Sequence, residues 1–137
     1  MLLTEIDHVA IAVHDLEAAI GYHERVFGAT VTHREVVERD GVEEALLRVG
    51  HSYIQLTTAT RDDSPVAKFL AKRGEGIHHV AYRVDDIDAA LRAARDAGLR
   101  LIDEAPRDGI RGSRVAFLHP ASTGGVLTEI VQPPEVH

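Results

Sequence analysis

The sequence predicts an α+β fold of two tandem βαβββ modules that together form a curved eight-stranded sheet. Three observations predict it. The stretch from Glu5 to Val31 resembles the stretch from Gly76 to Ile102 at a constant offset of 71 residues, with identical pairs Ile6/Ile77, His8/His79, Val9/Val80, Ala10/Ala81, Val13/Val84, Asp15/Asp86, Ala18/Ala89 and Ala19/Ala90. In both copies an apolar, β-branched run gives way to a helical pattern that opens on Asp and closes on Gly. Three further strand-like runs separated by turn residues follow each helix.

The elements follow in order. A strand is expected from about Ile6 to Val13 and again from Ile77 to Val84. Asp15 and Asp86 stand where an N-cap belongs. Leu16, Ala19, Ile20, His23 and Phe27 recur at helical spacing before Gly28, and Ile87, Ala90, Leu91 and Ala94 do so before Gly98. The first module then continues with strands at Thr30–Val37, Glu43–Val49 and Ser52–Thr58, turned at Asp40-Gly41 and Gly50-His51. Strands at Leu99–Asp103, Arg114–His119 and Val126–Val131 complete the second. Asp62 or Asp63 with Ser64-Pro65 starts a linking helix over about Val66–Lys72. The expectation is one domain over residues 1–137, with modules at about 5–58 and 76–132 and the linker helix within about 63–73. Neither half could bury its sheet face alone, so pairing the two edge to edge would leave one concave side.

Composition narrows the function. The formal net charge of −7 argues against a nucleic-acid binder, which needs a basic stripe, but leaves room for a local patch that takes an anionic small molecule. The absence of cysteine excludes disulfides and zinc–thiolate sites, so a metal would need imidazole, carboxylate or amide donors. The opening MLLTEIDHVAIAV is too short and too charged for a signal peptide or a span, and no other stretch reaches spanning length. A cytoplasmic enzyme is the expectation.

Such donors exist. His8 and His79 are repeat equivalents in the first strands, and Gln55 in YIQLT aligns with Glu129 in LTEIV in the last. A single strand histidine is ordinarily a satisfied polar residue, and a polar residue on an antiparallel strand is often solvated. Four metal-capable residues at equivalent repeat positions carry more weight. A pseudo-twofold would converge them on one divalent cation, leaving positions open to substrate.

Nearly the whole chain resembles the vicinal-oxygen-chelate (glyoxalase-like) superfamily and, within it, the methylmalonyl-CoA epimerase family. The likeness rests on IDHVAIAV (6–13), DGVEEA (40–45), VAKFLAK (66–72), GIHHVA (76–81), FLHP (117–120) and GGVLTE (124–129). The stretch Leu56-Thr57-Thr58 departs from a Glu or Met followed by Pro in many members. The resemblance implies metal ligands at His8, Gln55, His79 and Glu129 and a catalytic base at Glu44, with Glu129 as second base besides its ligand role. Cobalt is the metal it implies, with Mn2+, Ni2+, Zn2+ or Fe2+ as other occupants. An acyl-CoA substrate and a homodimer are implied too. Glu43 then reads as solvated. Lys68 and Lys72, a helical turn apart and followed by Arg73, are candidates to dock the CoA phosphates, although a helical charge run is ordinarily a solvated face. Arg107, Arg111 and Arg114 flank the Gly109–Gly112 loop, and Arg111, Ser113 or Arg114 is a candidate to hold an acyl carboxylate. A glyoxalase-type lyase acting on a thiol adduct, and a metal-free binding protein of the same fold, are the competing readings.

Overall fold

The computed structural model describes residues 1–134, so the last three residues of the expected 1–137 domain lie outside the described residues. Among the described residues the elements run β1 (Glu5–Ala12), α1 (Leu16–Phe27), β2 (Val31–Val37), β3 (Val42–Val49), β4 (Ser52–Ala59), α2 (Pro65–Arg73), β5 (Gly76–Arg83), α3 (Ile87–Asp96), β6 (Arg107–Asp108), β7 (Arg114–Leu118) and β8 (Thr128–Gln132). The strands form one eight-stranded sheet in the order β2-β3-β4-β1-β5-β8-β7-β6. This is the α+β class that the repeat predicts, since β5-β8-β7-β6 mirrors β1-β4-β3-β2.

The chain divides into two compact units, His8–His78 and Met1–Asp7 together with the residues from His79 onward. In the first unit β4 pairs parallel with β1 and antiparallel with β3, and β3 pairs antiparallel with β2. Helix α1 starts because the Asp15 carboxylate accepts the Ala18 N–H at 3.0 Å. It stops at Gly28, which takes a left-handed conformation (φ 63°) that a side chain would resist. Leu16 and Ile20 of α1 pack with Val13, Ala45, Leu47 and Leu56. Helix α2 begins with Pro65 behind Ser64, whose hydroxyl accepts the Val66 N–H at 3.1 Å. Of the expected starters, Ser64 is thus the cap. Val66 and Leu70 of α2 bury against Ala12 and Val42.

The second unit repeats the scheme. Asp86 caps α3 by accepting the Ala89 N–H at 3.1 Å. Ile87, Ala90, Leu91 and Ala94 pack on Val84, Ala116, Leu118 and Ile130. Burial of each large apolar side chain here is worth about 1.5–3 kcal/mol. Register shows the equivalence of the modules directly. Ala10 faces Gln55 across β1–β4 just as Ala81 faces Glu129 across β5–β8.

One expected element moves. The strand expected at Leu99–Asp103 is reduced to a bridge between Leu101 and Leu118, and β6 lies at Arg107–Asp108 instead. Two local features account for it. The Asp103 carboxylate accepts the Phe117 N–H at 2.8 Å, taking a donor that a backbone carbonyl would otherwise use. Pro106 follows and has no N–H to give a ladder.

Candidate metal and acid–base site

In the first unit, strand alternation sorts β1, β3 and β4 into two faces. Ala45, Leu47 and Leu56 point toward α1. Register then places His8, Ala10, Glu44, Leu46, Tyr53, Gln55 and Thr57 on the other face, with His8 opposite Tyr53, Leu46 opposite Gln55 and Glu44 opposite Thr57. His8 and Gln55 are both buried, at 5% and 3% exposure. Glu44 is half-buried, with Glu35 as its ladder partner on β2. Its neighbour Glu43 points the other way and binds Arg34 at 2.9 Å. Glu43 thus faces away from Glu44, as expected, and is ion-paired as well as partly exposed. Hydrogen bonds that Arg34 donates to Glu17 first, and then to Glu43, hold its guanidinium above its ordinary pKa.

In the second unit β8 offers Glu129 and β5 offers His79, both buried. His79 Nε2 and Glu129 Oε1 stand 3.5 Å apart. Two donors bound to one cation at about 2.1 Å each are separated by roughly 3.0–3.4 Å, so the pair is close to ligating geometry without rebuilding. Phe117, directly across the β7–β8 ladder from Glu129, meets the His79 ring in a T-shaped contact with centroids 5.1 Å apart. Arg107 lies 5.5 Å over the Phe117 ring and 3.4 Å from Asp103. His79 and Glu129 in the second unit, like His8 and Gln55 in the first, are donors of the borderline kind that suits a divalent cation.

The remaining expected residues are spread more widely. Ser113 is buried, and its hydroxyl donates to the Ile110 carbonyl at 2.7 Å. The Gly109 N–H closes the same loop by donating to the Ser113 carbonyl at 2.9 Å. Arg111 is the one non-glycine residue at positive φ (59°) among the described residues, and its Nη2 lies 3.5 Å from Asp7. Arg114 alternates onto the α3 side, 3.3 Å from Asp88, a placement that turns it away from Glu129. Lys68 and Lys72 are both exposed on α2, while the guanidinium of Arg73 sits 5.9 Å over the Phe69 ring.

Sequence reasoning passed over two features. Asp7, beside His8, is 1% exposed and takes Arg83 Nε at 2.8 Å as well as Arg111. A carboxylate inside the run EIDHVAIAV was the available signal. The other is Thr57, a buried hydroxyl on the face that carries Gln55.

Comparison with known proteins fits this arrangement. Residues 7–117 match the family model of the glyoxalase/bleomycin resistance protein/dioxygenase superfamily. An ethylmalonyl-CoA/methylmalonyl-CoA epimerase of Cereibacter sphaeroides is 37% identical over 96% of this chain and 99% of its own. The mitochondrial methylmalonyl-CoA epimerase of Homo sapiens is 37% identical over 95% of this chain and 74% of its own. A Streptomyces coelicolor methylmalonyl-CoA epimerase variant, solved in complex with 2-nitronate-propionyl-CoA, superposes with a TM-score of 0.96 at 46% identity, covering 99% of each chain. The chain belongs to the glyoxalase/bleomycin resistance protein/dioxygenase superfamily and, within it, to the methylmalonyl-CoA epimerase family.

Proposed function

We propose that this chain is a metal-dependent epimerase that interconverts (2R)- and (2S)-methylmalonyl-CoA and also accepts ethylmalonyl-CoA. The observation that carries the reading is the face shared by His8, Gln55 and Glu44, in a chain related to such epimerases over nearly its whole length. His8, Gln55, His79 and Glu129 would hold one divalent ion, Co2+ in this reading. The protein works as a homodimer in the cytoplasm. None of its helices is long and apolar enough to cross a membrane among the described residues.

The reaction inverts a carbon that lies between a thioester carbonyl and a carboxylate. Its hydrogen leaves as a proton from one face and a proton returns to the other. A bound divalent cation supplies electrostatic stabilisation for the negative charge that develops on substrate oxygen. Glu44 removes the proton on one side as general base. Its half-burial keeps bulk water from competing while leaving the carboxylate within reach of substrate. Return on the opposite face needs a second acid, and Glu129 is assigned that duty besides holding the ion. The Gly109–Ser113 loop, with Arg111, receives the acyl carboxylate, and Lys68 and Lys72 take the CoA phosphates.

The test is hydrogen exchange at the α-carbon. Co2+-loaded protein in D2O should place deuterium at C2 of (2R)-methylmalonyl-CoA and produce both epimers. Chelation should stop this and Co2+ should restore it. Glu44→Gln should slow exchange by about 10²–10⁴-fold, the usual worth of a positioned general base. Retention of the α-hydrogen by fully loaded wild-type protein refutes the proposal.

A further inference from the structure

The duplication supplies an internal comparison at the Glu44 position. Leu46 and Phe117 face Gln55 and Glu129 across their ladders, so two residues away Glu44 opposite Thr57 corresponds to Val115 opposite Val131. The backbone agrees, because the Val13 N–H donates to the Thr57 carbonyl and the Val84 N–H to the Val131 carbonyl, both at 2.9 Å. In the second unit the valines pack with Ala81 in a closed apolar cluster. The first unit has a carboxylate and a hydroxyl at the matching places.

Threonine and valine have nearly the same shape and differ here by one hydroxyl. Thr57 is 2% exposed, and its Oγ1 is buried without a hydrogen-bond partner. A sealed, unsatisfied hydroxyl costs about 1–3 kcal/mol relative to a satisfied one, and a packed valine avoids that cost. The hydroxyl is too deeply buried for an incoming ligand to touch. A partner must be a side chain that turns toward it. Glu44 is its ladder partner on the same face. The other polar or titratable groups of that face are Gln55 and Tyr53 on β4, His8 on β1, Arg48 on β3, which donates to the Gly50 carbonyl, and His33 and Glu35 on β2, which bind each other at 2.8 Å.

We infer that Thr57 is a positioning residue for Glu44: its hydroxyl donates to the carboxylate when Glu44 swings into its proton-abstracting orientation. This rests on the epimerase reading above. The experiment compares wild type, Thr57→Val and Thr57→Ser as Co2+-loaded protein, in the D2O exchange assay with methylmalonyl-CoA and in thermal unfolding. Thr57→Val, the residue that the second module uses, should lower kcat about tenfold and leave KM within about twofold, as expected for one hydrogen bond to a charged group. Its Tm should equal or exceed that of wild type, since an orphaned hydroxyl has been removed. Thr57→Ser should recover most of kcat. An unchanged kcat in Thr57→Val overturns the inference and leaves the epimerase intact. So does a kcat loss that tracks a lower Tm, or one that serine fails to rescue. Inactive wild-type protein instead refutes the epimerase reading, and the inference falls with it.

Discussion

Asp7→Asn tests the polar network of the second unit. The Asp7 carboxylate is 1% exposed and lies between Arg83 Nε at 2.8 Å and Arg111 Nη2 at 3.5 Å. Breaking a fully buried ion pair by removing one partner costs about 3–5 kcal/mol, chiefly through the charge left behind. Both arginine side chains keep some access to water, at 18% and 20% exposure, and Arg83 retains Glu5. The asparagine oxygen can still accept from Arg83. These features put the loss at the lower end, about 3 kcal/mol. With an unfolding entropy of about 2 cal/mol/K per residue, that is a fall in Tm of about 10 °C for the 137-residue chain. Urea titration of wild type, Asp7→Asn, Arg83→Gln and the double variant measures the loss and the coupling. Amide exchange adds a local readout, because freeing Arg111 from Asp7 should lower protection at Gly109 and Ser113. A loss under about 1 kcal/mol, or a coupling indistinguishable from zero, refutes the reasoning.

Three further outcomes are expected. A Cβ on Gly109 would meet Ser113 Oγ at 2.6 Å and Val115 Cγ1 at 2.7 Å, so Gly109→Ala should destabilise by about 1–3 kcal/mol and shift the Ser113 amide resonance. Ser64→Ala removes the α2 cap and should cost about 1 kcal/mol in urea titration, with the loss of amide protection concentrated at Val66. Elemental analysis of purified protein should find one divalent ion per chain, and His79→Ala should reduce that ratio far below one while circular dichroism stays unchanged.

Much of this architecture was readable before any coordinates. The donors could be found because duplication writes each first-strand histidine twice at one offset, and because strands of period 2 keep Gln55 and Glu129 on the face of their histidines. Asp15 and Asp86 were readable as caps because an N-cap is a local contact that spans three residues. The strand at Leu99–Asp103 failed for an equally local reason: apolar content predicted a ladder, but a competing Asp103 carboxylate and Pro106 dispersed it. Asp7 with Arg83 was out of reach because their contact spans 76 residues and neither belongs to a motif of fixed spacing. Arg114 could have been placed by alternation once Phe117 was set opposite Glu129, because residues three apart on a strand face opposite ways.

The two modules share a backbone plan and differ where chemistry would need them to differ. Gln55 answers Glu129, Glu44 answers Val115, and Thr57 answers Val131. Under the proposed function the first difference is a matter of charge. Two neutral imidazoles, one amide and one carboxylate leave a divalent ion with a net charge of about +1. A second glutamate at position 55 would cancel it. The substrate brings a carboxylate and gathers further negative charge as its proton leaves, so a residual positive charge favours both binding and ionisation. The other two differences concern where a proton can be held. A carboxylate matched to the one at Glu44, if it stood in the Val115–Val131 cluster, would be buried among apolar neighbours at a cost of several kcal/mol. Glu129 already provides a carboxylate in the second module. Duplication thus accounts for the scaffold, and under the proposed function its departures from symmetry, at three pairs of positions, would give the inversion an acid–base pair of unequal members.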